Sequence, residues 1–195
     1  MIEKLKGYKI ILASQSPRRK ELLKGLDIPF EIADNFECDE SYPGNINLNE
    51  VAPFLAQKKS AAYPKELKEN EILITSDTLV KCNNELLGKP DGEAGAIEML
   101  KKISGRKHEV ITGVCLRNEI KKHVFSVLSN VYFTKLNDEE ITYYVKKYKP
   151  FDKAGAYGIQ EWIGYVGIER IEGSYYNVMG LPVSRLWKEL INFTE

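Results

Sequence analysis

The sequence predicts an α/β fold with a mixed, twisted central sheet flanked by helices. Apolar, β-branched runs of strand length alternate with segments whose apolar residues recur at helical spacing, and nothing repeats at a fixed period. Composition agrees: 43% hydrophobic and 10% aromatic residues, with 14 glycines and 8 prolines, give 195 residues enough apolar mass for one sizeable core, or for two small lobes sharing a sheet.

Lys9-Ile-Ile-Leu-Ala-Ser14 is a continuous apolar run suited to a strand buried on both faces. It feeds a helix in which Ser16 takes the N-cap and Pro17 the first helical position, where its missing N–H costs nothing. Leu22, Leu23 and Leu26 form the buried stripe of that helix, and Gly25 frays its end. Residues 28–33 give a second short strand, and the acidic, Gly- and Pro-containing stretch 34–47 gives a loop able to cover a site. Val51, Phe54, Leu55 and Ala62 mark a helix over 48–62, with Pro64 as its stop. The run 71–80 is another buried strand, turned back at Asn83-Asn84 into 85–87 as a hairpin. A helix over 94–103 points Ala96, Ile97 and Leu100 inward and closes at Ser104-Gly105. Strands over 109–117 and 123–133 flank a charged turn, and 138–147 is helical. A loop holding Gly155 and Gly158 then leads to a strand over 165–171, and a last helix spans 183–193.

Lys plus Arg number 28 and Asp plus Glu number 28, so no whole-molecule field favours nucleic acid or an anionic membrane. The longest apolar runs fall far short of the roughly 20 residues of a spanning helix. Residues 1–8 lead straight into the first strand with no signal-like apolar region or cleavage site, which points to the cytoplasm. Cys38, Cys82 and Cys115 lack any CxxC spacing and are odd in number, so they read as buried or free thiols. His108 and His123 have no partner at zinc-ligand spacing, and there is no Gly-x-Ser-x-Gly elbow. A zinc site and a Ser-His hydrolase are therefore not expected.

Three clusters follow strand-like runs, where open α/β sheets place their ligand sites. Ser14 to Arg19 combines a strand end, two hydroxyls, a helix N-terminus and two arginines, a combination suited to phosphate; an ordinary N-cap with solvated arginines is the alternative. Ser76-Asp77-Thr78 puts a carboxylate inside an apolar run, with Lys89-Pro90 further on. A buried Asp requires a pair, a metal or a cleft, although a strand-end Asp capping a turn also fits. Residues 152–160, Asp-Lys-Ala-Gly-Ala-Tyr-Gly-Ile-Gln, permit close approach of backbone to a flat ligand, with Gln160 offering both donor and acceptor to a base edge; a plain surface loop would look the same.

Taken together, Ser14-Gln-Ser-Pro-Arg-Arg-Lys-Glu-Leu-Leu23, Ser76-Asp-Thr-Leu-Val80, Gly88-Lys-Pro90, the 152–160 segment and Gly173-Ser-Tyr-Tyr-Asn-Val-Met-Gly-Leu-Pro182 resemble the Maf family of nucleoside triphosphate pyrophosphatases, in one order across nearly the whole chain. The resemblance implies a single Maf-like domain over 1–195 with an inosine-triphosphatase-like fold of two lobes and a cleft between them. It also implies hydrolysis of a nucleoside triphosphate to the monophosphate and pyrophosphate with Mg²⁺ or Mn²⁺, clearing non-standard or surplus nucleotides. By the same resemblance Asp77 is the general base or metal ligand, assisted at the metal by Glu40, and Ser14, Arg19, Lys59 and Lys89 bind phosphates. Arg18, Thr78 and Gln160 match the positions that mark the subgroup acting on dTTP and UTP. Ser76 departs from the alanine of many relatives, and its hydroxyl is expected to add a hydrogen bond beside Asp77.

The partner expected is thus a small nucleotide, with neither nucleic acid nor membrane. A homodimer is the family precedent, with Tyr143, Tyr144 and Tyr148 either at an exposed contact or simply in the core. Two rivals stand beside the enzyme: a nucleotide-binding regulator of cell division acting through a protein partner, and an anion-binding scaffold without turnover. The regulator could dispense with Asp77, and the scaffold would bind its ligand indifferently to metal.

Overall fold

The computed structural model of the protein describes residues 2–195. Its sheet has the strand order β2-β1-β3-β5-β6-β7, with β4 paired to β3. β1 (Lys9–Leu12) runs parallel to both β2 (Phe30–Ile32) and β3 (Glu71–Cys82), with Leu12 opposite Ile74. β4 (Glu85–Leu87) returns antiparallel to β3 through Asn83 and Asn84, both at positive φ, as a two-residue hairpin requires. β5 (Lys107–Arg117) and β6 (Lys122–Phe133) follow, and β7 (Ile168–Glu172) lies antiparallel to β6. The expected mixed sheet is present.

The chain forms two compact units. The first takes residues up to 77, 112–127 and 180–195. It holds β1, β2, α1 (Pro17–Lys24), α2 (Val51–Ala61) and the C-terminal helix α7 (Val183–Phe193), and it packs Ile11, Ala33, Leu67 and Leu73 together. α2 lies close enough that a Cβ on Gly113 of β5 would come within 2.4 Å of the Ala52–Pro53 backbone, so only glycine fits there. The Thr75 hydroxyl donates to the Ala56 carbonyl at 2.6 Å, fixing the same helix to β3. Pro17 opens α1 as expected, but that helix ends at Lys24, which leaves Leu26 half-buried in the following turn. Its cap, Ser16, makes no side-chain capping bond.

The second unit spans 78–111 and 128–179. α3 (Gly92–Ile103) and α4 (Asp138–Tyr148) enclose its core, in which Leu100, Ile103, Val131, Tyr144 and Ile163 are essentially inaccessible. α4 starts on a reciprocal cap: the Asn137 side chain accepts from the Glu140 N–H while Glu140 accepts from the Asn137 N–H, satisfying two orphan donors. The strand expected over 165–171 is in part helical. α5 (Trp162–Gly167) precedes β7, with Ile163 and Gly167 buried and Tyr165 and Val166 exposed, so the burial period across that stretch is helical rather than alternating. A short helix α6 (Tyr175–Met179) completes the unit. Cys82 and Cys115 are buried and Cys38 half-buried, and all three are free thiols.

Candidate functional site

In the first unit, site residues gather around β3 and the C-terminal end of β1. The Ala13 N–H donates to the Ile74 carbonyl at 2.9 Å, extending the parallel pairing so that Ser14 leaves the sheet beside Ser76 and Asp77. Ser14 Oγ accepts from the Ser16 N–H at 3.3 Å, which shapes the turn into α1. One helical turn on, Arg19 donates from Nε to the Gly180 carbonyl at 2.8 Å and from NH1 to the Ser76 carbonyl at 2.9 Å. Two of its nitrogens thus brace main chain, a role invisible in the sequence because residues 19, 76 and 180 are remote along it. Burial lowers the Arg19 pKa from its ordinary value; the Asp77 charge opposes that fall, Arg18 adds to it, and Glu40 counters it. These four charges therefore share one neighbourhood.

Lys59 organises the carboxylates. It projects from the last turn of α2, and its Nζ donates to Asp77 Oδ1 and pairs with Glu40 Oε1 at 2.9 Å. Asp77 is 8% exposed, so its burial within the apolar strand is compensated by an ammonium, as a buried carboxylate requires. Glu40 arrives from an irregular loop held by the preceding lysine: Lys58 Nζ donates to Asp39 Oδ2 at 2.7 Å and to the Ser41 carbonyl at 2.9 Å. Asp39 also accepts from the Ser41 N–H and hydroxyl, at 2.9 and 2.6 Å, and the Lys58 and Ser41 bonds hold its carboxyl well below the usual carboxylate range. Ser76 does not behave as expected. Strand alternation sends it to the opposite face from Asp77, and its Oγ is buried without a hydrogen-bond partner among the described residues.

Thr78, Lys89 and Gln160 belong to the second unit. Lys89 is exposed in the segment after β4, which is tied to the glycine-rich loop by the Gly155 N–H donating to the Gly88 carbonyl at 3.0 Å. Gly155 has φ +68° and packs so closely that a Cβ would lie 2.8 Å from Val80 Cγ2. Gln160 ends the loop half-buried, its Oε1 buried and unpartnered among the described residues. Sequence reasoning missed Glu161 and the contacts that Tyr144 and Lys153 make with it, although it placed Lys153 in the glycine-rich segment and left Tyr144 as either exposed or core. The buried spacing 141, 144, 145 along α4 was the available signal for Tyr144, which is fully buried and not a surface aromatic.

Among the described residues no three His, Cys, Asp or Glu side chains gather as a metal cage. Asp77 and Glu40 still present carboxylate oxygens to one nitrogen, and that donor set suits Mg²⁺, which takes one or two carboxylates and completes its shell with waters and substrate phosphates.

Residues 9–193 match the family described as Maf-like protein. The chain belongs to that family. Within it, a protein of Parabacteroides distasonis named dTTP/UTP pyrophosphatase is 53% identical over 193 residues, covering 99% of this chain and 100% of the relative. A Porphyromonas gingivalis protein of the same name is 50% identical over 197 residues, covering 100% and 99%. The Ham1 protein of Staphylococcus aureus has a similar solved structure, with TM-score 0.52 and 15% identity over 93% of this chain and 99% of that one, which places the Maf-like chain in the same fold. No helix among the described residues is long and apolar enough to cross a membrane.

Proposed function

We propose that the protein is a nucleoside triphosphate pyrophosphatase hydrolysing dTTP and UTP to the monophosphate and pyrophosphate. The observation that carries this reading is the name borne by relatives half identical to the chain over their whole length. The constellation at Lys59 gives it a chemistry. Breaking a phosphoanhydride builds negative charge on the leaving pyrophosphate, and fixed positive groups aimed at that charge supply most of the help. Arg19, Lys59 and Lys89 are the cations in this reading, and Ser14 with the backbone at the start of α1 adds neutral donors. Lys59 orients Asp77, whose carboxylate takes the proton of the attacking water as the new P–O bond forms and the bond to pyrophosphate breaks. A divalent cation held by Asp77 and Glu40 together with the phosphates would neutralise their charge. Gln160 Oε1, a buried acceptor, suits the N3–H of thymine or uracil while the amide N–H donates to a ring carbonyl; cytosine carries no N3–H. Arg18 and Thr78 are the other two residues that this reading assigns to the choice of base.

We place the protein in the cytoplasm with the nucleotide pool it would clear and expect a homodimer, which sedimentation of the purified chain checks. The activity is tested by assaying dTTP, UTP, CTP, ATP and GTP with Mg²⁺ and with Mn²⁺. Turnover of dTTP and UTP well ahead of the other three, abolished by a chelator, is the expected result. Equal turnover of all five would remove the base reading, and undiminished turnover under chelation would remove the metal.

A further inference from the structure

The geometry points to Glu161, gripped by Lys153 and Tyr144, as the residue that positions the Gln160 amide for pyrimidine recognition. The inference rests on the reading of Gln160 given above and adds three residues to it. Both Glu161 carboxylate oxygens are engaged: Lys153 Nζ lies 3.2 Å from Oε1, and the Tyr144 hydroxyl donates to Oε2. The same hydroxyl accepts from the Gly158 N–H at 3.0 Å, so one buried phenol holds the side chain after Gln160 and the backbone two residues before it. The Glu161 N–H in turn donates to the Gly158 carbonyl at 3.0 Å, closing a tight turn over residues 158–161 with Gln160 inside it.

The Glu161 carboxyl packs directly against residue 158, leaving no room there for a side chain. A Cβ on Gly158 would stand 2.8 Å from Glu161 Cδ and 3.0 Å from Oε2, and the carboxylate cannot swing away while both oxygens are held. Lys153 is 9% exposed at its side chain and also pairs with Asp152 at 2.8 Å. A largely buried ion pair is weak evidence for stability, because desolvation offsets most of its attraction; its best-supported use is to select one geometry over near alternatives. Here the geometry selected is that of a loop whose last side chain keeps its amide oxygen buried and without a hydrogen-bond partner among the described residues. Discrimination by a hydrogen-bonding amide requires that the amide be unable to turn or retreat to suit a different base, and fixed neighbours on both sides supply that rigidity.

The test compares kcat/KM for dTTP and CTP in the wild type, Glu161→Gln, Tyr144→Phe and Gln160→Ala, and in the double variants Glu161→Gln/Gln160→Ala and Tyr144→Phe/Gln160→Ala. Tyr144→Phe keeps the ring that fills the core and removes only the hydroxyl, so it reports on the grip even where Glu161→Gln weakens the fold. The dTTP to CTP ratio should fall about tenfold in each positioning variant, mainly through a higher KM for dTTP with kcat less affected. In the Gln160→Ala background neither substitution should lower the ratio further, a coupling that general loosening of the fold would not produce. An unchanged ratio in folded Glu161→Gln and Tyr144→Phe, with the ratio collapsed in Gln160→Ala, would overturn the positioning role alone. Should Gln160→Ala itself leave the ratio intact, the reading of Gln160 falls and this inference with it.

Discussion

Asp77 and His108 show how differently two buried titratable groups are used. Asp77 is held by Lys59 in the first unit, and the proposed function makes it the group that takes the proton of the attacking water. Asp77→Asn keeps the shape and removes the charge, so turnover should fall at least about a hundredfold while circular dichroism shows the fold retained. Near-normal turnover in the folded variant would reject the role. His108 is 1% exposed, with Nε2 2.8 Å from the Tyr157 hydroxyl and its ring edge-on to Phe133, and burial pulls its pKa from 6.5 to about 4. Between those values the unfolded chain holds a proton that the folded protein does not, so this group's contribution to stability is lost as pH falls through that window. From pH 7 to pH 5 the stability difference between wild type and His108→Gln, followed by urea unfolding, should shrink by about 2 kcal/mol. A constant difference would mean that His108 titrates normally in the folded state. What the sequence conveyed at this level depended on adjacency. Ser14, Arg18 and Arg19 sit beside one strand end, and Asp77 interrupts an apolar run, so chemistry alone drew attention to them. Glu40 and Lys59 entered only through family resemblance, because no local pattern joins a loop glutamate, a helix lysine and a strand aspartate.

Among the elements, α2 has the largest consequence for the site, since it carries Lys58 and Lys59, which hold the Glu40 loop and Asp77. Its position is set by the missing side chain of Gly113. In Gly113→Ala the new methyl would meet main-chain atoms of α2 at 2.2 Å and 2.4 Å, and neither the strand nor the helix can yield cheaply. Overpacking of this kind costs roughly 1–3 kcal/mol or more, so the melting temperature should drop by several degrees, and turnover should fall as Lys59 is displaced. A variant of unchanged stability and turnover would show that the helix is not seated there. Most elements could be recognised beforehand because hydrophobic period and punctuation agreed: Ser16-Pro17 opened α1 and Asn83-Asn84 turned β3 into β4. α5 could not. Ile163, Val166 and Ile168 carry β-branched propensity, whereas burial of Ile163 and Gly167 four residues apart follows a helix, and over six residues packing outweighs propensity. Leu26 misled for a related reason, since helical spacing continued in the sequence past the residue where α1 stops.

Across the whole molecule, equal numbers of acidic and basic residues, 28 of each, leave no general attraction for polyanions, so affinity for a triphosphate must come from a local arrangement of charge. Arg18, Arg19, Lys59, Glu40 and Asp77 share one neighbourhood that the proposed function makes the phosphate site, and the chain that carries them belongs over almost its entire length to the Maf-like family. Lys89, exposed in the second unit, is the further cation of the proposed function: Lys89→Ala should raise KM for dTTP and weaken preference for triphosphate over monophosphate, measured by competition with dTMP. Unchanged competition would place the phosphate site elsewhere. The decisive quantity is which phosphoanhydride is broken. Incubating the protein with dTTP and Mg²⁺ and resolving the products by ion-exchange chromatography gives the answer. Equimolar dTMP and pyrophosphate are the expected products, with no transient dTDP; accumulation of dTDP with inorganic phosphate, or no turnover of dTTP at all, would contradict the assignment.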